Sequence, residues 1–364
     1  MQFSKRITLA LAVALCSAAF TARAQDGQWI NLFDGETLYG WTTLGDAQWN
    51  VADGAITAAE GTGGLIATTS RFQDFELTAQ VKLKEGCSTG IIFRGALEGH
   101  PNENGSSVLW LREAKGSDSK WRNVRIVARG ADVQVAVDGE HQVNNGTNTR
   151  GRIGLLYHHN GGAAVAIKDV KLRPLGMSPL FNGKDLTGWN ILPDHKSVFT
   201  VVDGALNIKN GNGQIETAGT YRDFTLQLDI FSNGTHLNSG VFFRTPVGVF
   251  WKGYESQVRN QWQGDDRTKP VDFGTGGNYG NQATRKVVPS DKEWFTKTVV
   301  VDGNHAAVWI NGYQVSDYTD ERVISDNADG KNGYVAAAGT INLQGHDPTT
   351  DLSFKNIVIQ EYPK

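Results

Sequence analysis

Thr298-Val-Val-Val-Asp-Gly-Asn-His-Ala-Ala-Val-Trp-Ile-Asn-Gly-Tyr-Gln-Val315 reads as short apolar alternations punctuated by turn residues. Thr298 to Asp302 and Ala307 to Ile310 carry a period of two, which places successive side chains on opposite faces of a strand. Asp302-Gly303 marks one turn. Asn311-Gly312 marks a hairpin between Val308-Trp-Ile310 and Tyr313-Gln-Val315, because a tight hairpin needs two residues that accept positive φ. The same pattern extends outward through Phe75 to Leu83, Val124 to Arg129, Val133 to Val137 and Phe224 to Ile230, with further turns at Asp53-Gly54, Asp138-Gly139 and Asp203-Gly204. No segment longer than about ten residues holds a helical period. With 43 Gly against 9 Pro and 2 Met, the chain reads as all-β: many short antiparallel strands in a sandwich.

The pattern is also duplicated. Leu32-Phe-Asp-Gly-Glu-Thr-Leu-Tyr-Gly-Trp41 returns as Leu180-Phe-Asn-Gly-Lys-Asp-Leu-Thr-Gly-Trp189, and Gly90-Ile-Ile-Phe-Arg94 returns as Gly240-Val-Phe-Phe-Arg244. An offset of about 150 residues is far longer than a solenoid or propeller repeat, so each copy is a domain with its own core. Residues 27–173 form the first domain, 174–179 the linker and 180–364 the second. The linker is short and holds two prolines, which keeps the domains close enough to share a cleft.

Residues 1–24 combine Lys5 and Arg6, an apolar run from Ile7 to Phe20 and Ala22-Arg-Ala24, the form of a secretory signal peptide cleaved after Ala24. The expected location is secreted or periplasmic, with no membrane span. Removal of this segment leaves 32 basic and 38 acidic residues, a balance that does not attract nucleic acid. Cys87 is then the lone cysteine. It reads as a small buried filler with no disulfide partner.

The quoted motifs resemble the 3-keto-disaccharide hydrolase domain family. The second copy carries the whole pattern: Leu180 to Trp189, Asp203-Gly204, Asn238-Ser-Gly-Val-Phe-Phe-Arg244, Gly253-Tyr-Glu-Ser-Gln257 and Leu343-Gln-Gly-His346. The first copy carries about half of it. The resemblance implies two tandem concanavalin/laminarinase-like jelly rolls, a carbohydrate substrate and cleavage of glycosides oxidised at the 3-position. Its chemistry would be abstraction of the C2 proton and β-elimination, followed by hydration.

Arg94 to His158 spans 64 residues, whereas Arg244 to His346 spans 102. The excess is Gly-rich and falls around Trp251 to Trp262 and Gly274 to Gly280, where insertions on a rigid sheet carry sites. Where the second copy has Gly253-Tyr-Glu-Ser-Gln257, the first has Ser106-Ser-Val-Leu-Trp110, with no acid. The second copy is therefore the expected active one. Strand alternation puts Glu255 and Gln257 on one face and Tyr254 and Ser256 on the other. Glu255 is the expected base. His346 can donate, act as acid or base, or ligate a metal, so a divalent cation is an open cofactor. Arg244 either forks onto substrate or Glu255, or makes a buried pair that both copies need. Asn238, Gln257 and Gln344 are candidate polar contacts, and Tyr254, Trp251, Trp262 and Tyr279 are candidate stacking platforms. The rival readings are a conventional glycoside hydrolase, which needs two carboxylates across the bond, and a non-catalytic carbohydrate-binding protein.

Overall fold

The computed structural model describes residues 24–99, 103–114, 119–142, 146–158 and 164–363. Among them there is no helix, and every named strand pairing is antiparallel. The signal segment lies outside the described residues except for Ala24, and no helix in the described chain is long and apolar enough to cross a membrane.

Each half is a sandwich of one large and one five-stranded sheet, with the same strand order in both. In the second half the large sheet runs Val198–Val202, Ala205–Lys209, Asp351–Glu361, Phe224–Ser232, Trp294–Asp302, His305–Ile310 and Tyr313–Thr319. Facing it are Trp189–Ile191, Gly213–Thr217, Thr340–Gly345, Ser239–Thr245 and Tyr254–Val258. The hairpin expected at Asn311-Gly312 pairs Ile310 with Tyr313, and both turn residues have positive φ, 49° and 80°. Between the two sheets lie Leu226, Leu228, Ile230, Val241, Phe243, Ile341, Leu343 and Phe354. Cys87 is a buried member of the first core.

The two halves pack directly against each other, with Gln28 and Trp29 of the first and Thr296, Thr298, Asn311 and Gly312 of the second lining a cavity at the junction. The strand Val165–Pro174 closes the first half, and Ser178–Pro179 already pairs in the large sheet of the second. Val300, Ala307 and Trp309 point out of that sheet and join the apolar core of the first half. Trp309 Nε1 donates to the Asn31 carbonyl at 2.9 Å, and Gln360 Nε2 donates to the Asp74 and Leu175 carbonyls. Arg285 reaches back to Asp34 at 2.8 Å, with its guanidinium between the rings of Tyr39 and Tyr313. The first domain thus anchors the 271–289 segment of the second, which also walls the site described next.

Candidate active site

The outer face of the five-stranded sheet in the second half is polar, because residues of opposite parity fill the core. Ile215, Val241, Ile341 and Leu343 point inward, so Gln214, Glu216, Phe242, Asn342, Gln344, Glu255 and Gln257 share the other face. A cavity of about 220 Å³ opens on this face, lined by Asn238, Phe242, Trp251, Gly253, Glu255, Gln257, Tyr279, Lys331, Gln344 and His346. The structure therefore gathers seven of the ten candidates from the sequence: Glu255, His346, Gln257, Asn238, Trp251, Tyr279 and Gln344.

Glu255 is the single carboxylate in that lining. It stands opposite Phe242 in the register, and its side chain lies over Gly240, where an added Cβ would collide with Glu255 Oε1. Only glycine leaves room for the carboxylate there. Burial pushes the Glu255 carboxyl up to about 8, and Asp272 adds to that, while Lys297 and Lys331 oppose it. Tyr279 is held in place by its backbone N–H, which donates to the Glu255 carbonyl at 2.9 Å. Trp251 closes another side of the cavity, 42 % exposed, its backbone N–H tied to Gln214 Oε1 at 2.8 Å.

The amides divide into fixed and unsatisfied groups. Gln257 is fully engaged, donating to the carbonyl and carboxylate of Asp272 and accepting from the Val258 N–H. Asn238 Nδ2 donates to Asp272 at 3.1 Å, but Asn238 Oδ1 and Gln344 Oε1 are buried acceptors with no protein donor. His346 is oriented by Asp347, whose carboxylate oxygen lies 2.9 Å from Nδ1. That contact favours a proton on Nδ1 and leaves Nε2 for other partners.

Three candidates fall elsewhere. Arg244 is a clamp inside the fold: it donates to the carbonyls of Arg222, Val335 and Gly303 and pairs with Asp223 at 2.9 Å. Arg94 repeats the arrangement with Gln73, Gly130 and Asp74. The two arginines thus make the buried pair that both copies need, and neither forks onto Glu255. Tyr254 faces the core, stacked on Phe243, with its hydroxyl donating to Asp320. It has the opposite parity to Glu255. Trp262 lies outside the cavity, under the guanidinium of Arg267 at 4.1 Å. Removing a buried cation strands its carboxylate, so Arg244→Met should cost about 3–5 kcal/mol. Urea unfolding checks the loss, and the surviving folded fraction should keep its ligand affinity.

Two lysines at or behind this cavity are not marked as site residues by any motif. Lys331 belongs to the turn after Asp329-Gly330, which reads only as a loop, and the fold alone brings it beside Tyr279, 5.8 Å from the ring centroid. Lys297 shares its parity with Phe295, Val299 and Val301, so a lysine on an apolar face was visible in the alternation. As for a metal, the lining offers Glu255, His346 and the unpartnered Asn238 Oδ1 and Gln344 Oε1 as donors. Among the described residues no group of three or more His, Cys, Asp or Glu is placed to hold an ion. The four nitrogen and oxygen donors of the lining suit a divalent cation completed by substrate or water oxygens.

The first half departs at the decisive places. Its register puts Val108 opposite Ile92 where Glu255 stands opposite Phe242, and Leu156 where the second half has Gln344. Leu65, Ala67, Ile92 and Leu156 form an apolar cluster on this face, and the 46 % exposed Trp110 packs on His158 at 5.9 Å.

Fold and site together define a tandem β-sandwich protein with a carboxylate-bearing cavity on the outer sheet face of its second half. The model of the 3-keto-alpha-glucoside-1,2-lyase-like domain matches residues 28–173 and 176–360, and the chain belongs to that family, carrying the domain twice. Among curated proteins, the 3-keto-disaccharide hydrolase of Bacteroides thetaiotaomicron is 29% identical over 93 residues. The match covers 22% of this chain and 32% of that protein, so the chain spans about a third of the length of this relative. Among solved structures, a putative glycosyl hydrolase from Parabacteroides distasonis is 23% identical and covers 51% of this chain and 94% of its own, with a TM-score of 0.42. A carbohydrate binding module from Bacillus subtilis is 15% identical, with coverages of 50% and 99% and a TM-score of 0.35.

Proposed function

We propose that the second domain cleaves glycosidic bonds in 3-keto-glycosides, including 3-keto-disaccharides, by β-elimination and hydration. The observation that carries this reading is a cavity with one carboxylate whose proton affinity is raised by burial. A ketone at C3 acidifies the C2 proton, and one base of raised pKa suffices to take it. As Glu255 takes that proton, the electron pair moves to the C3 oxygen, where the Lys331 ammonium can stabilise the enolate. Collapse of the enolate breaks the C1–O bond, and His346 supplies the proton to the departing oxygen. Water then adds to C1 of the resulting enone, with a proton returning to C2. The unsatisfied Asn238 Oδ1 and Gln344 Oε1 suit sugar hydroxyls as donors, and Trp251 and Tyr279 offer ring faces for stacking.

The conventional glycosidase fares worse. The nearest carboxylate along the row of cross-strand neighbours is Glu216, which follows Asn342 and Phe242 from Glu255. Three strand spacings put their backbones about 14 Å apart, and Asp272, the other carboxylate acting on Glu255, is occupied by Asn238, Gln257 and Arg259, so neither is a free second acid across the bond. Glu216 is also occupied, accepting from the Gly248 N–H and the Thr340 hydroxyl. The deciding experiment incubates the protein with matched plain and 3-keto glucosides, with and without chelator. Product should form from the 3-keto glucoside alone, and loss of that product with chelator would add a divalent cation to the site. Cleavage of the plain glucoside would favour the glycosidase, and binding with no product would favour the binding protein.

A further inference from the structure

Lys297 is a lysine with 0% of its surface exposed, projecting from the large sheet into the sandwich core. Its ammonium donates to the Ser256 carbonyl at 2.8 Å, the Ser256 hydroxyl at 3.0 Å and the Gln257 carbonyl at 2.8 Å. Three acceptors match the three donors of a charged amine, and all three belong to the two residues that follow Glu255. An unpaired buried cation is costly, and a fold retains one only where something compensates.

The duplicated domain supplies an internal comparison. The pairing of Phe224 with Val301 corresponds to that of Phe75 with Ala128, which places Val124 at the position of Lys297. The same alignment places Val108 at Glu255 and Leu109 at Ser256. The half without the carboxylate has neither the lysine nor the serine, and its fold closes with apolar residues at all three places.

We propose that Lys297 is a positioning residue for Glu255, fixing the backbone of its strand and setting a positive charge on the core side of its carboxylate. This deepens the functional reading above and rests on it for its catalytic meaning. The charged groups acting on Glu255 are Lys297 from the large sheet, Lys331 from the 325–333 loop and Asp272 from the 271–289 segment. Burial drives the Lys297 amine below its ordinary value, and Glu255 opposes that. Removal of the lysine charge therefore raises the proton affinity of Glu255 further.

The test is a ¹³C NMR titration of the glutamate carboxyls in the full-length protein, with the Glu255 signal identified by its loss in Glu255→Gln. In Lys297→Met the Glu255 midpoint should rise by about one pH unit or more, and the acid limb of kcat/KM on a 3-keto-glucoside should move with it. If Lys297→Met does not fold, Lys297→Gln keeps donors for the backbone carbonyls without the charge and should show the same shift. An unmoved midpoint in a folded variant overturns the proposal. Wild-type protein that does not turn over a 3-keto-glucoside overturns the functional reading instead, and the titration still decides whether Lys297 acts on Glu255.

Discussion

Glu255→Gln should lower kcat on a 3-keto-glucoside by about a thousandfold while leaving Kd for the substrate within a few fold, as measured by single-turnover kinetics and calorimetry. The amide keeps the shape of the side chain over Gly240 and keeps the register of Glu255 with Phe242. Only the capacity to take a proton is lost. No second carboxylate in the lining can replace it, and Glu216 is too far along the sheet and already bonded to Gly248 and Thr340. A variant that kept more than a tenth of wild-type kcat would remove Glu255 from the role of base. His346→Gln tests the other proton: it should slow substrates with poor leaving groups most, because a leaving oxygen of low pKa departs without protonation.

Much of this site follows from parity and spacing, and the remainder does not. The alternation around Glu255 correctly separates the cavity face from the core face, because strand geometry allows no other assignment once Val241 and Leu343 are known to be inside. The fold class is equally legible, since turn residues such as Asn311-Gly312 dictate the hairpins they join. Arg244 could not be placed in that way. Its sequence position, at the end of an apolar run beside the site motif, fits a substrate contact as well as a clamp, and the difference depends on where Asp223 and the Val335 carbonyl sit in space. Tyr254, an aromatic beside Glu255, fits a stacking platform by its place in the motif, but its own parity sends it inward to Asp320. Lys331 is brought to the cavity by a turn 76 residues after Glu255, and no local period records such a contact.

The pH dependence of catalysis and that of stability should run in opposite directions, and Glu255 connects them. As a base it works ionised, and its carboxyl is pushed up to about 8 by burial. Thus kcat/KM should fall about tenfold for each pH unit below about 8 and level off above it, a limb absent from the residual activity of Glu255→Gln. Stability has the reverse sign. In the unfolded chain this carboxyl releases its proton near 4.5, whereas the folded protein holds it to about 8. Between those values the native state binds more protons, so its stability is fully present below about 4.5 and declines as pH rises to about 8. Water entering the cavity screens the charge, which limits the loss to about 2–3 kcal/mol. Urea unfolding of wild type and Glu255→Gln at pH 5 and pH 8.5 isolates this contribution: the variant should be the more stable protein at pH 8.5 and gain little at pH 5. Equal stability at both values would mean that the carboxylate is well solvated in the folded state. The steep acid limb of the rate profile should then be missing too, because both effects come from the same buried charge.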